Sequence, residues 1–467
     1  MRTKLSIFSE FAGSLFPHEL EYLMNVQNFS KPVNLEILKQ IYSNNTSNPS
    51  SNKIYDDSVD KRTYSYLKNW ITETLLRIDV DCFFEWLIST EKKILTDVIV
   101  PSEETEILRY ISQIKPTNYN FIRFYELMQY YRDYLMVRSR TKHNKVVTNY
   151  LELNGDNYFR LKNLNIAIDN ATARIINKSE LTPEEKANIE KLLSDTFFDH
   201  TLDAYTRYRA VVRLTIFYYN NQEFEKQSVV YQHLDELLKT PLFYSKRILS
   251  NYYANRAMMH SKLKQLSEAE KYGYLSIRNK NSDYLFYLIN LCGVLIKQEK
   301  NKAALKLMRM SIPELKNTNN NYYKIGFYAF YIRTYIANNQ IDKAVAYASQ
   351  YFDTYRKEIF EHRWHLYVTT YLYALLNARK YEKVISICKR YKLVQKEKMR
   401  IEHPEYLPVI ENYYYLAEYM EGILTHEKFI SSVIKSTKAM KKNTYRSGRM
   451  LEMIDEMASF LPDEMKM

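Results

Sequence analysis

Glycine and proline are scarce, with 7 Gly and 11 Pro in 467 residues. Hairpin turns and bulged strands depend on such residues, so an all-β architecture has little to build on and helix becomes the expected state. The glycines are also dispersed. Gly273 and Gly293, the closest two, stand twenty residues apart, whereas both common nucleotide fingerprints need several glycines within a few positions, so a phosphate cradle of the usual form is excluded. The three cysteines, Cys82, Cys292 and Cys388, are far apart and odd in number. They give neither a disulfide framework nor a zinc knuckle, and they fit a reducing compartment. Long apolar runs are missing as well. Residues 284–296 and 366–378 are uncharged over 13 positions each, short of the roughly 20 needed to cross a bilayer, so no membrane span is expected. The first residues, MRTKLSIFSEFAGSLF, are interrupted by Glu10 and carry no long apolar secretory core; a cytoplasmic location is expected.

What the chain does contain is 46% hydrophobic and 26% charged residues, the composition of a folded protein rather than a disordered one. Its length exceeds one ordinary compact core, which points to several domains or to a solenoid that can keep growing. Tyrosine is abundant, at 44 residues. A Tyr can serve a binding surface, but amphipathic side chains also suit half-buried seams between helices, and seam packing is the ordinary reading here.

Taken in order, residues 1–42 should hold short helices, one of them capped at Asn34. Residues 43–53, SNNTSNPSSNK, lack apolar side chains and read as a loop or linker. Helical spacing recurs through Tyr64, Leu67, Ile71, Leu75 and Ile78 and continues past Cys82 to Leu95. Pro101-Ser102-Glu103-Glu104 reads as a capped start with acids where the helix dipole favours them. Residues 121–137 form a further helix, and long helical patterns follow from Val146 to Ile176, broken near Asn154-Gly155-Asp156. Thr182-Pro183-Glu184-Glu185 is a capping box with Pro at the first helical position. These features divide the chain into a helical N-terminal region (1–140), connecting helices (141–200) and a repeat region (201–467).

The repeat region carries a register. Residues 252–280 read as two short helices joined by a polar turn near Lys264–Ser267, with Ser267 as N-cap and small residues at Ala257 and Ala269. Second helices begin in the same way around Gln227, Ala269, Ala304, Ala344, Val384 and Phe429, separated by 42, 35, 40, 40 and 45 residues. Twelve positions before each lie Thr215, Ala257, Cys292, Ile332, Leu372 and Ala417. A polar turn, an aromatic or aliphatic residue, an acid and a Lys recur in order before Ala344 and Val384, and again at Glu223–Gln227. This pattern resembles the tetratricopeptide repeat, whose helix pair recurs about every 34 residues. The resemblance implies an all-α, right-handed helix-pair solenoid of diverged, longer units, with 444–460 as a capping helix on its apolar end.

In that family the first helix of each pair lines a concave groove that receives peptides or helices. Carried over, the groove positions are Asn251, Ala254, Met258 and Lys262, then Phe286, Ile289, Gly293 and Lys297, then Ala329 and Arg333, then Thr369, Tyr373 and Asn377. Of these, Asn251, Met258, Lys262, Lys297, Arg333, Tyr373 and Asn377 are the partner-binding candidates. The family's Lys and Asn clamp for C-terminal carboxylates finds Ala254 and Met258, or Ile289 and Gly293, in its places, so that mode of binding is not implied.

Catalytic patterns are missing. No nucleophile motif such as GxSxG occurs. His362 and His365 sit one turn apart beside Glu361, but without HExxH or a visible third ligand they read as an ordinary helix face rather than a metal site. His403-Pro404-Glu405 reads as a helix start. No cofactor is expected. The expectation is a non-enzymatic scaffold or adaptor that holds a protein segment in its groove, the alternatives being a regulatory peptide sensor and a nucleic-acid-associated protein. The last alternative rests on charge. The formal net charge is +13, and residues 251–467 hold 35 Lys and Arg against 22 Asp and Glu. Lys380, Lys389, Arg390, Lys396, Lys398 and Arg400, then Lys438, Lys441 and Lys442, form the basic surface. A solvated face explains such runs; weak, salt-sensitive binding to nucleic acid is the other reading.

Overall fold

The computed structural model describes residues 5–46, 54–176, 181–401, 406–438 and 444–461, the side chains of 444–448 excepted. Among them lie 25 α-helices and no strand, and no helix is long and apolar enough to cross a membrane. The chain divides into two compact units, Met1–Met259 and His260–Met467.

In the first unit the helices are α1 (Ser6–Gly13), α2 (Pro17–Val26), α3 (Pro32–Thr46), α4 (Lys61–Ile78), α5 (Val80–Leu95), α6 (Pro101–Ile111), α7 (Phe121–Val137), α8 (Thr141–Ile176), α9 (Pro183–Phe198), α10 (Ala204–Asn221) and α11 (Phe224–Leu238), before α12 (Lys246–Lys262). One core gathers around α7, where Phe121, Phe124, Leu127, Met128 and Tyr131 are buried with Leu87, Ile107 and Val147. The starts at Pro101 and Thr182 form where the sequence places them. Glu185 donates its amide to Thr182 Oγ1 at 3.2 Å while its carboxylate accepts from the Thr182 amide at 2.8 Å.

Four local expectations need correction. Helix α3 begins at Pro32, not at an Asn34 cap, and it runs on to Thr46 because Asn45 donates to the carbonyls of Ala12 and Ile41; the polar tract after it, 47–53, lies outside the described residues. Helix α8 is unbroken for 36 residues. Weak helix formers at 154–156 are carried by packing on α7: the Tyr125 and Tyr158 rings stack at 4.2 Å, and Tyr125 Oη donates to the Leu151 carbonyl. Tertiary contact here outweighs local propensity. Finally, the second helix of the 252–280 pair starts at Leu266, so Ser267 lies within it and does not cap it.

The second unit contains α13 (Leu266–Ser276), α14 (Tyr284–Lys297), α15 (Asn301–Met310), α16 (Ile312–Asn317), α17 (Asn321–Ala337), α18 (Ile341–Thr354), α19 (Arg356–His362), α20 (Trp364–Asn377), α21 (Tyr381–Arg390), α22 (Leu393–Lys398), α23 (Val409–Met420), α24 (His426–Lys438) and α25 (Thr444–Ala458). Helix α14 packs on α17, α17 on α20, and α20 on α23, while α15, α18, α21 and α24 each follow and pack on their own first helix. A single apolar cluster runs through all of them, from Tyr284 to Met457. Gly273 on α13 serves close approach: a Cβ there would lie 2.8 Å from Leu291 Cδ1 of α14.

The same backbone turn closes each first helix. Gln222, Lys264, Glu299, Asn339 and Arg379 all adopt left-handed φ near +60°. The amide after each reaches back five residues, Glu223 to Tyr218, Gln265 to His260, Lys300 to Leu295, Gln340 to Tyr335 and Lys380 to Leu375, at 2.9 Å in every case. This is the hydrogen-bond signature of a left-handed helix C-cap, which satisfies the orphan carbonyls of the last turn. The second helix begins at once, and the anchors Gln227, Ala269, Ala304, Ala344 and Val384 are buried five residues after each left-handed residue. Pairing across twelve residues is direct at two of these turns: Gln227 Nε2 donates to the Thr215 carbonyl at 3.0 Å, and Cys292 Sγ to the Ala304 carbonyl at 3.8 Å.

Candidate functional site

The first helices of the second unit share one face. Arg333 on α17, Tyr373 on α20 and Tyr413 on α23 follow one another at forty-residue intervals, and the packing of these helices brings them into a row. The Arg333 guanidinium carbon lies 6.0 Å from the Tyr373 ring centroid, at the outer reach of a cation–π contact. The Tyr373 ring lies 6.2 Å from that of Tyr413, at 23° between planes. Tyr413 Oη then donates to Glu456 Oε2 at 2.9 Å. Burial, together with the carboxylate of Glu456, pushes the Tyr413 phenol well above its usual range, so it stays a donor.

Glu456 belongs to α25, whose apolar residues Met450, Met453, Ile454 and Met457 recur at helical spacing and continue to Phe460 and Leu461 just beyond its end. Met453 and Met457 are buried. The Phe460 ring meets Tyr373 edge-on at 6.0 Å, and Asn412 Nδ2 approaches Met453 Sδ at 3.8 Å. The last helix therefore lies along the row formed by α20 and α23, with an amphipathic face turned towards it. On α14, half-buried Phe286 and Gly293 and exposed Lys297 follow at intervals of seven and four, and a Cβ at Gly293 would lie 3.5 Å from the ring of half-buried Phe330 on α17.

No family model, no curated protein and no solved structure matches this chain.

The partner-binding candidates separate into groups. Arg333 and Tyr373 come together as described, and Asn377 is tied to Tyr373, whose carbonyl accepts from its Nδ2 at 2.8 Å. Lys297 is exposed on α14, and Lys262 is half-buried at the end of α12. Asn251 and Met258, in the first unit, are both half-buried, and Asn251 Oδ1 accepts from Asn255. Three residues carried over with them, Ala254, Ile289 and Ala329, are buried in the core and offer no surface to a ligand; the face is narrower than the resemblance implies. Sequence reasoning missed Tyr413, Glu456 and Phe460. The forty-residue interval from Tyr373 to Tyr413 was the available signal.

Of the basic residues, Lys380, Lys389, Arg390, Lys396, Lys398 and Lys438 are exposed and Arg400 is half-buried. Several are engaged: Lys398 pairs with Glu411 at 2.9 Å and Lys389 with Glu418 at 3.9 Å, while Lys396 lies over Phe360 and Arg400 over Trp364. Lys441 and Lys442, like His403-Pro404-Glu405, lie outside the described residues. His365 serves packing, its Nε2 2.6 Å from Glu397 Oε1.

Proposed function

We propose that this chain is a non-enzymatic protein-interaction scaffold, a diverged tetratricopeptide-like solenoid that holds an amphipathic helix of a partner against the face of its first helices. One observation carries the reading: a helix of the chain itself, α25, already lies on that face through Tyr413, Glu456, Tyr373 and Phe460. Helix-in-groove recognition uses anchors at helical spacing, as Met450, Met453, Ile454 and Met457 provide. The aromatic row suits the role, since tyrosines give large contact area at low entropic cost. A partner helix would seat on the open continuation past Phe330, Gly293 and Phe286, or in place of α25.

Affinity capture with the tagged full chain, followed by mass spectrometry, tests the proposal when it is paired with a variant carrying Arg333→Ala and Tyr373→Ala. A partner lost from the variant, with an unchanged helical circular dichroism spectrum, supports the groove. Retention of every partner by the folded variant removes it.

A further inference from the structure

The charge on the face of the first helices gives its occupant a chemistry. The chain carries 54 Asp and Glu in 467 residues, yet α14, α17 and α20 contain none. Cations are present. Half-buried Arg333 of α17 and exposed Lys297 at the end of α14 have no ion pair among the described residues. Arg363, one residue before α20, lies 4.2 Å from the Tyr322 ring centroid and against Gly326 of α17, where a Cβ would meet its Nη1. Helix α23 does contain acids, but they are turned towards other helices, Glu411 pairing with Lys398 of α22 and Glu418 with Lys389 of α21.

Two donors on these helices are also left over. Asn290 Nδ2, on the stripe of α14 that carries Phe286, Gly293 and Lys297, and Arg333 Nε are buried with no acceptor among the described residues. Buried polar groups are nearly always hydrogen-bonded, so orphans of one kind on one face point to an acceptor brought to it. At the far end of the face α25 brings one. Glu456 accepts from Tyr413 Oη at 2.9 Å, beside the buried anchors Met453 and Met457, and its charge and that of Arg333 act on the Tyr413 phenol in opposite senses.

We propose that the partner held on this face is an acidic amphipathic helix, its apolar anchors laid on Phe286 and Phe330 and the carboxylates beside them taken by Arg333 and Lys297. This partner class rests on the scaffold reading above. The relation of Glu456 to Met453 and Met457, a carboxylate three residues after one anchor and next to another, is the pattern such a helix repeats. A basic helix with the same anchors would set like charges together, which suppresses the wrong partner.

Fluorescence anisotropy with the full chain tests this on two labelled peptides. One has the sequence of residues 449–461, which already lies on the face; the other is the same peptide with Glu452→Lys, Asp455→Lys and Glu456→Lys. The acidic peptide is expected to bind with a Kd below about 200 µM, and the basic one at least about tenfold more weakly. Lys297→Glu, an exposed change, should cut that preference by about fivefold, and so should Arg333→Gln with an unchanged circular dichroism spectrum. No binding of the acidic peptide at this level, equal binding of both, or a preference untouched by both substitutions overturns the acidic partner. Phe330→Ala, which removes a ring and no charge, keeps the two readings apart. Equal binding of both peptides that weakens in this variant removes only the acidic preference, whereas binding indifferent to Phe330 removes the groove as well.

Discussion

Buried carboxylates set the stability of this protein in two opposite ways. Asp203 caps α10, accepting the Thr206 amide at 2.9 Å, but it is fully buried and its Oδ2 has no partner. Burial raises its carboxyl from 3.8 to about 6, against the pull of its hydrogen bonds. A raised folded value means that the contribution is present in full below the unfolded pKa near 3.8 and is lost as pH rises through 6. Asp203→Asn keeps the cap acceptor and removes the buried charge. It should raise stability at pH 7.5 by about 2 kcal/mol, the gain shrinking to nothing near pH 4; thermal melts of both proteins across this range check it, and a pH-independent difference contradicts it. Glu397 works the other way. Fully buried on α22, it accepts the amides of Ile410 and Glu411 at the start of α23 and meets His365 of α20. Glu397→Ala leaves two buried amides and the half-buried His365 ring without this acceptor, and urea denaturation should record a loss of about 3 kcal/mol. Neither role was legible in the sequence. Glu397 stands in the sequence among the basic residues of 389–400 with nothing to mark its role, because a cap supplied from another helix has no local pattern.

The helix pair was legible because its turn repeats. Five turns use the same left-handed residue and the same reach of five residues, so their burial pattern recurs at fixed offsets that periodicity can find. The residues in that strained position are Gln, Lys, Glu, Asn and Arg, whereas Gly422 occupies it in the turn after α23. A side chain in left-handed backbone costs roughly 1 kcal/mol. Glu299→Gly and Arg379→Gly should therefore each raise stability by about 0.5–1 kcal/mol. Gly422→Ala, where φ is +69° and a Cβ meets nothing within 4 Å, should cost about 1 kcal/mol from backbone strain alone. Denaturation midpoints of the three variants decide this, and a Gly422→Ala protein as stable as the parent contradicts it. The unbroken α8 was not legible, since Asn154-Gly155-Asp156 is a turn by composition and becomes helix through packing on Tyr125 of α7, more than twenty residues earlier in sequence.

For the whole molecule, net charge and the α14 to α25 face bear on function differently. The excess of basic residues was plain in the sequence, but the pairing of Lys398 with Glu411 and the seating of Lys396 and Arg400 on aromatic rings were not. With part of this charge already engaged, labelled RNA or DNA should bind only weakly and at low salt; binding that persists at physiological salt would make nucleic-acid recognition the leading function. The face itself was half legible: Arg333 and Tyr373 came from the repeat register, while its far end depends on α25 folding back onto α23, which no periodicity encodes. Its role is tested most directly by site-specific photocrosslinking in cells, with a benzophenone residue in place of exposed Lys297 on α14 or, for comparison, in place of exposed Lys306 on α15. A discrete adduct formed from position 297 and not from 306, and lost on Arg333→Ala with Tyr373→Ala, is the expected result; adducts that form equally from both positions, or that survive the double substitution, would contradict a partner held on this face.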